Sequence, residues 1–279
     1  SPQILMLSGI GAKELLLHAG VGLQHELPGV GQNLHDHPDV VIGVNAPSAK
    51  DLFGISPTGL ARTVKGIFEW RNHRSGMLTT NFAEAGGFIK SSPDEAIPDL
   101  QLHFVIGKLV DHGRKATFGH GHSTHICVLR PKSRGSVQLA SKDPFEAPLI
   151  DPNFLGDMDD MQRMIRGFKL ARQIIRQPAL ADLGGKEMKA SAKVHTDLEI
   201  EHFIRDHADT IYHPVGTCRM GNGPMDVVDA QLKVRGIDGL RVVDASIMPR
   251  VVGGNTNAPV IMIAEKAADM IKAGAIDRQ

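Results

Sequence analysis

The sequence predicts a mixed α/β fold organised around an antiparallel sheet, and three observations carry that prediction. Residues 99–107 alternate Leu100, Leu102, Phe104 and Ile106 on one side, the pattern of a half-buried strand. Further short runs of this kind follow one another without long helices between them, which favours antiparallel pairing. Two strongly periodic segments, 157–177 and 258–273, read as helices.

The elements follow in order. At the start, Ser1 can cap a helix whose first position is Pro2 and whose end is Gly9. This helix reads as already under way, so the sequence looks cut from something longer, with an upstream targeting signal left open. Residues 12–19 give a second short helix closed by Gly20, and 27–39 form a loop rich in turn formers. A helix is expected over 59–73 and a strand with a glycine bend over 84–89. Segments 124–131 and 135–141 read as two strands joined by the Pro-Lys-Ser-Arg-Gly turn. The helix over 157–177 places Met161, Met164, Ile165, Phe168, Ala171 and Ile175 on one face, with acids leading and bases closing. Its methionines read as core filler. A charged helix around 195–207 comes next, followed by a loop with His213 and a strand pair around 231–244. The last helix, over 258–273, is expected to bury Ile261, Ala264, Ala268 and Ile271 and to close at Gly274.

With 279 residues, 42% of them hydrophobic, the chain suits one large or two ordinary domains. Lys plus Arg equals Asp plus Glu at 31 each, and no basic run with interleaved aromatics occurs, which argues against nucleic acid. No apolar run approaches the length of a membrane span. Two distant cysteines, Cys127 and Cys218, make no disulfide framework and point to a reducing, cytoplasmic setting. Internal repeats and low-complexity tracts are absent.

Several residues carry chemistry. Gly253-Gly254-Asn255-Thr256-Asn257 leads into the last helix, whose first N–H groups and positive dipole end suit a phosphate, a carboxylate or the electron-rich edge of a flavin ring. An ordinary capped helix would read the same way. Asp244 closes a strand-like run, a place from which carboxylates accept ribose hydroxyls. His213 is one of fourteen histidines; the following Pro214 holds it on a stiff extended loop, and an imidazole accepts a proton near neutrality. The plain alternative is a satisfied polar side chain. His35 and His37, and His120, His122 and His125, offer H-x-H spacing for zinc or iron, yet the Gly-Ser-Thr surroundings suggest loop and no cysteine or H-E-x-x-H partner accompanies them. No metal ligand is assigned. There is no G-x-S-x-G. Five G-x-G pairs occur, none with the third glycine of a dinucleotide fingerprint.

Taken together, "SPQILMLSGIG", "LPGVGQNLHDHP", "NFAEAGGFIKS", "YHPVGTCRMG", "VVDASIMP" and "GGNTNAPVIMIAEKAADMI" resemble the blocks of the glucose-methanol-choline (GMC) family of flavin oxidoreductases, in that family's order and over nearly the whole chain. The choline and aliphatic-alcohol dehydrogenase branch is the nearest in flavour. The resemblance implies FAD as cofactor and a partial FAD-binding domain, with the N-terminal Rossmann half missing, joined to an antiparallel-sheet substrate domain. It implies that residues 1–34 belong to the FAD domain, 35–205 form the substrate domain and 206–279 return to the FAD domain.

The resemblance further makes His213 the catalytic base and Asn257 its partner at the substrate oxygen. Asp244 with the following backbone of Ala245 would hold the ribityl-phosphate region, and Asn255, Thr256 and Asn257 would face the pyrimidine edge. Glu84 and Tyr212 are candidate substrate contacts, though Glu84 reads equally as a strand-edge carboxylate. The expected activity is oxidation of a primary alcohol, aliphatic or choline, to an aldehyde. The expected partners are that alcohol and the absent N-terminal half, with the intact enzyme cytoplasmic or peripheral to a membrane. A choline site wants aromatic faces, and one Trp and one Tyr tilt the reading to a general alcohol. Two rival readings stay open: a metal-dependent hydrolase using His120 and His122, and a non-catalytic binding remnant.

Overall fold

The computed structural model describes residues 1–110, 113–115 and 117–276. In chain order the elements are α1 (Pro2–Leu7), β1 (Ile10–Gly11), α2 (Lys13–His18), β2 (His25–Glu26), β3 (Pro38–Asn45), β4 (Gly54–Ile55), α3 (Pro57–His73), β5 (Ala83–Ile89) and β6 (Leu100–Val105). There follow β7 (Gly119–Val128), β8 (Ser136–Gln138), β9 (Leu149–Asp151), α4 (Met158–Ile175), α5 (Pro178–Ala181), β10 (Lys186–Glu187), α6 (Lys189–Ala192), α7 (Asp197–His207) and α8 (Asn257–Ile276). Packing gathers them into two units. One comprises residues 1–37, 129–157 and those from 210 onward; the other comprises 38–128 and 158–209.

The second unit is a mixed α/β layer. Its antiparallel sheet runs in the order β10-β3-β7-β6-β5, with β4 also paired to β7. The strict alternation of β3 sends Val40, Ile42 and Val44 to one face, where Leu100 and Leu102 of β6 and Ile126 and Val128 of β7 join them in register. Helix α4 covers that face. Every apolar residue expected on its inner stripe, from Met161 to Ile175, is buried. Gly167 allows the close approach: a Cβ there would stand 2.9 Å from both Ile126 and Leu100 side-chain carbons. Asp159 and Asp160 in the first turn and Arg172 in the last complement the helix dipole. Phe168 of α4 meets Phe203 of α7 at 5.5 Å between ring centroids, and Thr196 with Glu199 closes a capping box on α7.

The first unit packs α1, α2, the short parallel pair β1–β2 and part of α8 around Leu5, Met6, Ile10, Leu16, Val30, Val227, Val228, Val242 and Ile247. A hairpin of β8 with β9 belongs to the same unit.

Five expectations are corrected. Segments 124–131 and 135–141 do not form a hairpin: β7 pairs with β3 and β6, while β8 pairs with β9. Strand β7 wins longer registers within its own sheet than the turn could offer. The strand pair around 231–244 is reduced to isolated bridges, Val228 to Val234 and Lys233 to Arg241. Left-handed backbone at Leu232, Gly236 and Gly239 interrupts any longer ladder. The H-x-H run 120–122 lies on β7, not in a loop. Ser1 does not cap α1 by its side chain; its hydroxyl donates to Asp244.

Finally, α8 runs past Gly274 and buries the neighbouring face. Ala267 is buried and Val260 and Ile263 pack inward, while Ile261 and Ile271 are 54% and 48% exposed. Residues 258–264 are apolar on all sides, so their periodicity selects no face.

Candidate active site

His213 lies in the first unit, buried, on a loop stitched to two other segments. On one side it meets the 31–37 run: Val215 and His35 exchange backbone hydrogen bonds at 2.9 and 3.2 Å, and Gly31 N–H donates to Thr217 O at 2.8 Å. On the other side Cys218 N–H and Met220 N–H donate to Ser246 O and Ile247 O, both at 2.8 Å. Gly216 makes the turn possible. Its φ is +96°, and a Cβ would stand 2.5 Å from Asn33 O. Tyr212 holds φ at +70°, costly for a bulky residue, and is 63% exposed beside the histidine.

The carboxylate of Asp36, itself buried, fixes this strained corner. Oδ1 accepts from His213 N–H at 3.0 Å, Oδ2 accepts from the Thr210 hydroxyl, and the Tyr212 N–H donates to Thr210 Oγ1 at 2.7 Å. Beside it the His37 ring lies edge-on to His213, with their Nδ1 atoms 3.0 Å apart.

The H-x-H pair 35/37 turns out to be a tie rather than a metal site. Val251 N–H donates to His35 Nε2 at 2.9 Å, and His37 Nε2 lies 3.0 Å from Val252 O. Two imidazoles two residues apart thus anchor the segment leading to α8. The same anchoring draws together a small apolar cluster of Val215, Met248 and Val251, against which Val260 in the first turn of α8 packs. His213 and the helix terminus carrying Asn257 are thereby connected through residues a few positions from each. Sequence reasoning missed Asp36 and His37 as members of the site; the only signal was their i, i+1 placement in "HDHP", which composition alone read as turn or metal.

At the helix terminus, Thr256 is the cap residue: it is buried, and its carbonyl accepts the first helical bond from Val260 N–H at 3.0 Å. Asn255 and Asn257 flank it and are exposed. Exposed amide side chains beside the opening N–H groups of a 20-residue helix form a donor set that fits an electron-rich carbonyl edge, such as that of a flavin.

Asp244 is committed locally, capping the 3-10 turn Ala245–Ile247 through the Ser246 N–H at 2.8 Å. Burial works to raise its pKa, but donation from the Ser1 and Ser246 hydroxyls and the Ser246 N–H outweighs this and holds it below the usual carboxylate range.

The remaining candidates sit in the second unit. Glu84 is exposed, at a register shift of β5 between Ala83 and Ala85, on a strand at the end of the sheet order. His120 is tied to Ser56 Oγ at 2.7 Å and Leu52 O at 2.9 Å, and the His122 ring lies tilted against Phe104, with centroids 5.0 Å apart. Among the described residues no three His, Cys, Asp or Glu side chains are grouped to hold a metal ion. On the sheet face opposite α4, His125 Nδ1 bonds Asp39 Oδ2 at 2.5 Å, and His103 lies 3.7 Å from Cys127 Sγ. Burial lowers the His103 pKa against the opposing pull of the Asp39 carboxylate.

Residues 131–264 match the GMC oxidoreductase family model. The chain is 50% identical over 271 residues to an alcohol dehydrogenase [acceptor] of Pseudomonas putida, covering 97% of this chain and 49% of that protein. It is 44% identical to the mitochondrial choline dehydrogenase of Mus musculus, covering 98% of this chain and 46% of that one. A solved structure on FAD modification in the formate oxidase of Aspergillus oryzae superposes with a TM-score of 0.87 at 28% identity, over 99% of this chain and 53% of that chain. The chain belongs to the GMC oxidoreductase family, and it spans about half the length of the curated relatives it matches. The mixed α/β fold with its antiparallel sheet is that of the family's flavoenzymes. No described helix is long and apolar enough to cross a membrane.

Proposed function

We propose that this chain is the C-terminal portion of an FAD-dependent dehydrogenase that oxidises a primary alcohol, aliphatic or choline, to the aldehyde. The observation that carries this reading is the arrangement at His213: a buried imidazole on a strained, carboxylate-anchored loop, tied through His37 and Val252 to the helix terminus of Asn255, Thr256 and Asn257. Alcohol oxidation removes the hydroxyl proton and the carbinol hydride. His213 takes the proton, and the Asn257 amide holds the substrate oxygen in line. FAD, when bound, supplies the hydride acceptor. The terminus of α8, with Asn255, Thr256 and Asn257, would hold the pyrimidine edge and offset negative charge there, and Asp244 with the Ala245 backbone would hold the ribityl side.

On this reading residues 1–34 and 206–279 serve the flavin, residues 35–205 the substrate, and Glu84 and Tyr212 line the substrate side. A general alcohol is favoured over choline, because the chain offers one Trp and one Tyr as aromatic faces for a quaternary ammonium, and one face of Trp70 is taken by Arg74, whose guanidinium carbon lies 4.4 Å from the ring centroid. A cytoplasmic protein, or an intact enzyme peripheral to a membrane, fits the reading.

Two measurements test it. The 279-residue chain by itself retains little FAD after desalting; stoichiometric flavin in the desalted protein contradicts the proposed division of the cofactor site. In the flavin-loaded protein reconstituted with a matching N-terminal half, His213→Ala lowers turnover about 10²–10⁴-fold. Near-normal reduction of the flavin by alcohol in that variant removes His213 from the mechanism.

A further inference from the structure

We infer that His37 is a positioning residue that sets the tautomer of His213, so that the lone pair of the base resides on Nε2. The inference rests on the reading of His213 as base, but its geometry stands apart from it. A backbone carbonyl only accepts, so the 3.0 Å contact of His37 Nε2 with Val252 O requires the His37 proton on Nε2. His37 is completely buried, which disfavours its charged form, and two imidazolium rings with nitrogens 3.0 Å apart would repel, so His37 is the neutral member of the pair. A neutral His37 protonated on Nε2 presents Nδ1 as an acceptor. The facing Nδ1 of His213 must then carry the hydrogen and donate it. The remaining nitrogen of His213, Nε2, is left as the basic one.

The chain of constraint runs further back. His37 is held by the segment it ties, Val252, and by the backbone contact of Ile211 N–H with His37 O at 3.3 Å. Asp36, one residue earlier, grips the His213 backbone. One dipeptide thus fixes both the main-chain position and the ring chemistry of the base, the first through a carboxylate and the second through an imidazole. The logic is that of a base oriented by a third group, here neutral rather than anionic.

The test reads the tautomer directly. Nitrogen-15 spectra of histidine-labelled 279-residue chain, assigned with His213→Gln and His37→Gln, separate protonated from unprotonated ring nitrogens. The expected result is His213 protonated on Nδ1 and His37 protonated on Nε2. In His37→Leu, His213 shifts toward the Nε2–H form that unrestrained imidazole prefers. In His37→Gln, whose amide keeps one donor and one acceptor, the Nδ1–H form is largely retained.

Wild-type His213 protonated on Nε2 overturns the inference, and so does an Nδ1–H form unchanged by His37→Leu. If the leucine variant does not fold, the wild-type spectrum and the glutamine variant decide the matter. In the reconstituted flavin-loaded protein, His37→Leu lowers kcat about 10- to 100-fold with a smaller effect on KM, the scale on which partners that orient a functional histidine act. The spectra need neither flavin nor turnover. A failed alcohol-oxidation assay therefore leaves the tautomer result standing, and a failed tautomer result leaves His213 available as base.

Discussion

Asp36 holds the main chain of His213 from 177 residues away, its Oδ1 accepting the His213 N–H at 3.0 Å while its Oδ2 accepts from the Thr210 hydroxyl. Removing the carboxylate leaves a buried N–H without its acceptor next to the left-handed Tyr212. Asp36→Ala is expected to cost about 2 kcal/mol, the scale of an unsatisfied buried donor. Asp36→Asn, which keeps an acceptor oxygen, costs less. Urea unfolding followed by circular dichroism measures both, and an alanine variant within about 0.5 kcal/mol of wild type, the range of neutral surface changes, rules out the anchoring role.

His35 gives the protein a dependence on acid. Burial, aided by the nearby Arg134 charge and opposed by the hydrogen bond to Asn33 O, pushes its pKa down to about 4. Because Nε2 accepts from Val251 N–H, protonation would also break a tie. The folded pKa lies below the unfolded value of about 6.5. The stabilisation is thus fully present above about pH 6.5 and is lost as pH falls toward 4, amounting to about 3 kcal/mol at most. Unfolding free energies of wild type and His35→Gln between pH 7 and pH 4.5 should converge as the pH drops. Parallel lines for the two proteins would exclude His35 as the source.

Arg172 is the polar hub of the second unit. Its Nε and Nη2 donate to Glu187 Oε1 at 3.2 and 2.9 Å, Nη1 to Val194 O at 2.8 Å and Nη2 to Ser191 O at 2.6 Å. The guanidinium also lies over the Phe168 ring at 4.7 Å. Arg172→Ala is expected to destabilise by about 3 kcal/mol, the lower end of the range for breaking a buried pair, because Arg176 remains 3.6 Å from Glu187. Lysine does not restore the loss, since a single ammonium cannot span three acceptors in a planar fork. Thermal unfolding of the three proteins separates these outcomes; full rescue by lysine would reduce the hub to a simple charge pair.

The two thiols should be silent in the native state. Neither Cys127 nor Cys218 is in a disulfide, both are buried, and burial pushes the Cys218 thiol up to about 11. A thiolate-selective reagent at pH 8 should label neither cysteine until the chain is unfolded. Rapid modification of one equivalent in the native chain would contradict this.

The sequence exposes what depends on local rules and conceals what depends on long-range partners. The stripe of α4 was legible because charged residues fill its other faces, so that a single arc remained to be buried. The stripe of α8 was not, because its opening turns are apolar all round and only the surroundings select Val260, Ile263 and Ala267. The hairpin expected over 124–141 failed for a related reason: strand β7 had better partners, β3 and β6, elsewhere in the chain. At the site, the stiff loop of His213 and the helix terminus at Asn257 could be named from proline, glycine and capping residues. The roles of Asp36 and His37 could not, because a hydrogen bond across 176 or 177 positions leaves no local periodicity to read.

That separation along the chain also orders events during synthesis. Asp36 and His37 leave the ribosome about 175 residues before the histidine they steer, and at roughly 5–20 residues per second they wait on the order of ten seconds or more. The sheet unit is finished once residue 209 has emerged, whereas the other unit receives its closing strand of contacts only afterwards. A nascent chain therefore carries a settled sheet tethered to an unfinished neighbour. Chaperone engagement and early proteolysis should fall on the segments around His35 and His37 until the C-terminal stretch arrives to cover them.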